Sequence, residues 1–180
     1  MAVDPGQTTG VATALIDATQ PTVASAIRRS HRKGLLSTHE LKGPWHEQAW
    51  ELARFYFDWM FQVHIERCLV ASGHCLYVAE GFEIRTMAAD VTPIRINSGF
   101  EVLVRQAFDG WQTGSLAHPD EIYDSEYDKV VSLQPPSEKG FCNDVMLRDW
   151  GLRRKSPHEN DALRHLARRV DRILNGDIPS

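Results

Sequence analysis

The chain has little of what commits a sequence to a membrane, to disulfide-based folding or to zinc. No stretch is an uninterrupted apolar run of membrane-spanning length. The N-terminus has no basic segment followed by an apolar run, so no secretory leader is expected. Cysteines number three, and Cys68, Cys75 and Cys142 form no C-x-x-C pair. That argues against a disulfide framework and a zinc knuckle, and fits a reducing cytoplasm. A large excess of charge is missing too: the net charge is -4, so the molecule as a whole does not advertise a polyanionic partner. What is there is 180 residues, 42% hydrophobic and 24% charged, the usual balance of a soluble globular protein. That length holds one domain, residues 1–180, with a real core, and is too short for two comfortable ones.

The positive charge is clumped. Arg28, Arg29, Arg32 and Lys33 form one group, Arg153, Arg154 and Lys155 a second, and Arg164, Arg168, Arg169 and Arg172 a third. A bound strand responds to the local field rather than to the sum, so such groups can hold phosphates on a mildly acidic protein. Each is equally compatible with solvated helix and loop surface.

Near the N-terminus, Val3-Asp4-Pro5-Gly6-Gln7-Thr8-Thr9-Gly10-Val11-Ala12 presents one acid at a tight turn. Pro5 and Gly6 suit the turn, and Gly10 lets the chain return to a strand without a side chain in the way. The run Val11 to Ile16 reads as the second strand of a hairpin. Asp4 then ends one strand beside the next, as a metal ligand or as an Asp capping backbone amides of the turn. Only Met1, Ala2 and Val3 precede it, so the first strand is very short or the recorded start is late.

After the turn at Gln20-Pro21, Thr22 to Ile27 reads as a third strand, Arg28 to Gly34 as a basic loop and Leu35 to Leu41 as a further strand. Gly43-Pro44 closes this section. From Trp45 to Val70 there is no Gly or Pro, which predicts a long helix. Its apolar residues Leu52, Tyr56, Trp59, Met60 and Val63 are joined by Phe55, Phe57 and Phe61, so more than one side is apolar and a second packing partner is expected, in this domain or in a second copy of the protein. Cys75 to Ala79 reads as a buried strand that ends on Glu80. An acid there is costly unless paired, hydrogen-bonded or metal-bound, or unless it leaves the sheet into solvent at Gly81. Met87 to Thr92 reads as a loop, Pro93 to Trp111 as a second helix, His118 to Asp128 as a loop, Lys129 to Leu133 as a strand, and Phe141 to Trp150 as a short helix ended by Gly151.

Ser156-Pro157-His158-Glu159-Asn160-Asp161 reads as a helix start, with Ser156 and Glu159 in capping-box spacing and Pro157 at the first helical position. His158 and Asp161 fall one turn apart on one side. Leu163, Leu166, Ala167, Val170 and Leu174 form the apolar stripe, with Asp161 on the opposite, arginine-bearing side. Asp161 therefore suits a residue facing phosphates, and equally one paired with Arg164 or Arg168.

The order is a β meander, a long helix, a buried strand, a second helix, a strand and two closing helices. With Val3-Asp4-Pro5-Gly6, Thr9-Gly10, Tyr77-Val78-Ala79-Glu80 and His158-Glu159-Asn160-Asp161-Ala162-Leu163, it resembles the RNase H-like superfamily, and within it RuvC-type Holliday junction resolvases of the divergent bacteriophage kind. The resemblance implies an α/β fold with a mixed β-sheet flanked by α-helices. It implies Asp4, Glu80, His158 and Asp161 as catalytic residues and metal ligands, and a homodimer cleaving four-way and other branched DNA in recombination and repair. Two Mg²⁺ ions, replaceable by Mn²⁺, are the implied cofactors, with no organic cofactor and no membrane partner; the implied setting is a bacterial or phage-infected host cytoplasm.

The chemistry suits those residue types. Two magnesium ions roughly 3.5 to 4 Å apart can stabilise both the attacking water and the leaving oxygen, and magnesium prefers carboxylate oxygens and water. Asp4, on the central strand, takes the bridging role, Glu80 and Asp161 the flanking ones. His158 is a further ligand or positions or deprotonates the water. Arg28, Arg29, Arg32, Lys33, Lys139, Arg153, Arg154, Lys155, Arg164 and Arg168 are the candidate DNA contacts. One departure stands out: where bacterial members carry a Gly-rich, Lys-bearing segment after the fifth strand, this chain has Gln134-Pro135-Pro136-Ser137-Glu138-Lys139-Gly140. Lys139 can approach a phosphate there, and no catalytic role is assigned to it. The alternatives are an RNase H-like nuclease acting on RNA/DNA hybrid or non-junction DNA, and a non-catalytic nucleic-acid-binding protein of this fold. Asp4 to Gly10 also resembles the first phosphate loop of sugar kinases and actin-like ATPases, but those need a second, duplicated domain.

Overall fold

Residue by residue, the first strand, β1 (Ala2–Asp4), alternates between two apolar layers. Ala2 packs with Ala12 and Ala14 on one side, and Val3 packs with Val11 and Leu41 on the other, as the two-residue period of a strand requires. The computed structural model describes residues 1–67, 77–80, 91–112 and 131–176, and within them the side chains other than those of 59–67, 77–80, 105, 107–112 and 131–133. Strands β1 (Ala2–Asp4), β2 (Thr8–Ala14), β3 (Leu36–Lys42), β4 (Tyr77–Glu80) and β5 (Val131–Gln134) form one sheet in the order β3-β2-β1-β4-β5. β1 is antiparallel to β2, and β2 to β3, while β1, β4 and β5 run parallel. The fold is therefore mixed α/β.

One face carries α1 (Val23–Arg32), α4 (Asp144–Asp149) and α5 (Pro157–Leu174). Ala26 and Ile27 of α1, Leu147 of α4, and Ala162, Leu163, Leu166, Ala167 and Val170 of α5 close on Ala2 and Ala12. The other face carries α2 (Trp45–Arg67) and α3 (Thr92–Gln112), whose Leu52, Tyr56, Ile96, Phe100 and Val104 pack on Val3 and Val11. Tyr56 and Phe100 meet edge to face at 5.6 Å, an arrangement that aromatic quadrupoles favour. The second packing partner expected for the Trp45 helix is thus α3 within the same chain.

The third-strand expectation at Thr22 to Ile27 and the basic loop at Arg28 to Gly34 are corrected: the two are one helix. Thr22 is its N-cap, in a reciprocal capping box with Ser25. Ala26, Ile27 and Ser30 are its buried residues, at helical spacing. The remaining strands and helices match to within a few residues: the short helix expected at Phe141 to Trp150 is α4, and a 3-10 turn (Pro136–Phe141) that was not expected precedes it. Residues 68–76, 81–90 and 113–130, and with them the expected helix end at Ser72-Gly73 and the loop at His118 to Asp128, lie outside the described residues.

Candidate active site

Three parallel strands end at one edge of the sheet, the place where open α/β sheets bind ligands. Asp4 is the last residue of β1 and Glu80 the last of β4. Val3 is in register with Ala79, so the two acids stand at one level on neighbouring strands. Glu80 is in turn in register with Gln134 at the end of β5. The Glu80 side chain lies outside the described residues.

The turn after β1 is held by the Gly6 amide, which donates to Thr9 Oγ1 at 3.3 Å. This returns the chain so that Gly10 pairs with Asp4 across the hairpin. The first turn of α5 then lies directly on Gly10: a Cβ there would collide with the backbone carbonyl of His158. Glycine at this position is what lets a helix start settle against a strand. Ser156 caps α5 by accepting from the Glu159 amide at 3.2 Å, and its hydroxyl meets the Glu40 carboxylate on β3. That hydrogen bond, aided by the neighbouring Lys42 ammonium and opposed by burial, holds the Glu40 carboxyl below its usual range.

As a result, residues distant in sequence converge. Asp4 is 6% exposed, and a buried carboxylate requires partners. His158 Nδ1 lies 3.4 Å from Asp4 Oδ2. Lys139 Nζ donates to Asp4 Oδ1 at 2.7 Å and to Asp161 Oδ2 at 3.1 Å, bridging the central strand and the last helix. The other Asp161 oxygen accepts from Arg164, which also reaches Asp144. Asp4, Pro5, Gly6, Pro93, Lys139, His158 and Asp161 line an open cleft of about 300 Å³. Among the described residues no three His, Cys, Asp or Glu side chains form a group that could hold a metal ion; the two described acids gather around an ammonium.

Lys139 is the member of this cleft whose role the sequence reading missed. It belongs to a 3-10 turn strapped along α5. Glu138 pairs with Arg172, and with Arg168 at 3.8 Å, while the Arg168 guanidinium lies 5.3 Å over the Phe141 ring. The available signal was position, since the turn follows β5 at the same sheet edge as Asp4 and Glu80.

The candidate DNA contacts separate into three settings. Arg153, Arg154 and Lys155 lie on the loop that leads into α5. Arg154 Nε donates to Thr38 Oγ1 at 3.1 Å, and Asn160 fixes the loop by bonding the Arg154 amide and carbonyl at 2.8 and 3.0 Å. Arg153 also pairs with Asp144 at 3.3 Å, and Lys155 is exposed. Arg164 and Arg168 are engaged in the ion pairs just described, and Arg169 of the same group is buried. Arg28, Arg29, Arg32 and Lys33 are exposed on α1, with Arg28 donating to the Asp149 carbonyl and Arg29 pairing with Asp17. The last turn of α1 leads into Leu36, which pairs with Ala14. Along β2 that is about 13 Å from Gly10, at 3.3 Å per residue. This group lies toward the other end of the sheet.

Cys142 takes no part in this chemistry. It is fully buried, and burial pushes its thiol up to about 11, so it stays protonated and unreactive at neutral pH. Among the described residues no helix is long and apolar enough to cross a membrane. Comparison with known proteins returned no matching family model, no matching curated protein and no matching solved structure.

Proposed function

We propose that the chain is a divalent-metal-dependent endonuclease of the RNase H-like superfamily, of the RuvC type, which cuts four-way and other branched DNA as a homodimer. One observation carries this reading: a buried Asp at the end of the central strand and an Asp in the opening turns of the last helix share a single cation, the Lys139 ammonium, at the carboxyl edge of the parallel strands. Two carboxylates from distant elements that already share one positive charge suit a hard divalent ion, which takes oxygen ligands. The strand order and directions, and Glu80 at the register level of Asp4, support it further.

Asp4 and Asp161, with Glu80, would hold magnesium, which when bound supplies Lewis-acid stabilisation and an acidified water. The chain's own groups do the rest. His158 stands against Asp4 at the mouth of the cleft, where its imidazole can accept a proton from the attacking water. The N-terminal end of α5 carries the positive end of the helix dipole and favours an incoming phosphate. Arg153, Arg154 and Lys155, on the loop leading into α5, add positive charge before that helix start, and Gly10 and Ser156 fix the helix start that carries His158 and Asp161.

The test is cleavage of a labelled panel in Mg²⁺ or Mn²⁺: four-way junction, three-way branch, flap, duplex and RNA/DNA hybrid. Cutting of the branched substrates, with paired symmetric nicks on the four-way junction, is expected. Preferential cutting of the hybrid would instead indicate a ribonuclease-type substrate, and binding without cutting would indicate a non-catalytic DNA-binding protein.

A further inference from the structure

We infer that Lys139 is an exchangeable cation: its ammonium holds Asp4 and Asp161 together in the metal-free protein, and a divalent ion must displace it to bind. This rests on the metal-dependent reading above and deepens it. The four carboxylate oxygens of the two acids each face a defined partner. Asp4 Oδ1 accepts from Lys139 and Asp4 Oδ2 faces His158, while Asp161 Oδ2 accepts from Lys139 and Asp161 Oδ1 from Arg164. Lys139 is the group bound to both acids, so it stands where an ion bridging them would stand. An ammonium and a divalent ion competing for the same lone pairs exclude each other.

The framework around Lys139 suits exchange. Its backbone is anchored, because Glu138 on the same turn is tied to Arg172 and Arg168, and Phe141 stacks under Arg168. The side chain, by contrast, is a flexible four-carbon stem with a compact charge, about a quarter exposed, on the wall of the open cleft. The stem can swing while the turn stays docked. Without such a cation, two carboxylates, one of them buried, would face each other across the cleft at a cost in stability. Metal entry therefore does not leave an empty cage to be filled. It replaces one cation by another and frees the ammonium at the cleft wall.

The test is Mn²⁺ binding, followed by the resonance of the free ion, to the wild-type chain, Lys139→Met and Arg148→Met. Lys139→Met keeps the apolar stem and removes the competing charge, so it is expected to bind Mn²⁺ on the order of tenfold more tightly, a figure discounted for partial exposure. Arg148→Met removes an exposed charge from α4 without touching the acids, and its affinity should stay within about twofold of wild type, as for a screened exposed charge. Equal affinities for wild type and Lys139→Met would overturn the exchange while leaving the metal site standing. Binding by none of the three would overturn both the exchange and the metal-dependent reading. A second measurement needs no variant. In crystals of the wild-type chain grown with and without Mn²⁺, Lys139 should leave Asp161 when the ion is present, and a Lys139 retaining both contacts beside a bound ion would contradict the inference.

Discussion

Asp161 shows how one residue satisfies two descriptions at once. Its place away from the apolar stripe was compatible with an ion pair and with a site residue, and it has both the Arg164 pair and the Lys139 bridge to Asp4. Asp161→Asn keeps the size and one carbonyl oxygen but removes the charge. It is expected to fold, to bind DNA, and to cleave at least about a thousandfold more slowly, the scale of losing a group that holds transition-state charge. Single-turnover cleavage alongside a DNA-binding titration checks this, and undiminished cleavage would remove Asp161 from the mechanism. His158 and Asp161 were legible because a helix start is written locally, in Ser156, Pro157 and Glu159. The Lys139 bridge was not, because its partners lie 135 and 22 residues away, and no local pattern encodes which cation a buried acid will meet.

Among the elements, α5 matters most, and its docking rests on an absent side chain. Gly10 was read as a convenience of the hairpin; in the fold it is the contact surface for the backbone at His158. Gly10→Ala forces β2 and α5 apart, since backbone cannot step aside as a flexible side chain can. The expected loss is about 1–3 kcal/mol, as for overpacking in a core, measured by denaturant unfolding. Cleavage should fall more than stability alone accounts for, because His158 and Asp161 move with the helix start. A variant as stable and as active as wild type would show that the close approach is dispensable. The opposite error of sequence reading occurred at α1. Thr22 to Ile27 follows a turn and carries the β-branched Thr22, Val23 and Ile27, and the capping by Thr22 and Ser25 together with the burial of Ala26, Ile27 and Ser30 on one face outweighed them. The hairpin, the Trp45 helix and the last helix were read correctly because their signals, a Pro-Gly turn, a long breaker-free run and a capped start, are strong and local.

In the whole molecule, helices pack on both faces of the sheet and the candidate site lies at one edge. One face and one edge carry Asp4, Lys139 and the start of α5, while the opposite face is closed by α2 and α3. Beyond that layer Trp50 on α2 is 60% exposed and Val102 on α3 is 52% exposed. A dimer through the α2 side would cover such residues and leave the clefts free for DNA. Light scattering at assay concentrations is expected to give a dimer, and Trp50→Glu to shift it toward monomer, since a central aromatic commonly contributes about 2 kcal/mol or more to an interface. A wild-type monomer would contradict this arrangement.

The central claim is that Asp4 and its partners hold a divalent ion that cuts branched DNA. The most direct measurement is Mg²⁺-dependent nicking of a labelled four-way junction by the wild-type chain and by Asp4→Asn, each with and without EDTA. Paired nicks by the wild type, absent in EDTA and absent in Asp4→Asn despite retained junction binding, are the predicted result. Nicking that survives either EDTA or Asp4→Asn, or no nicking by the wild type, would contradict the account.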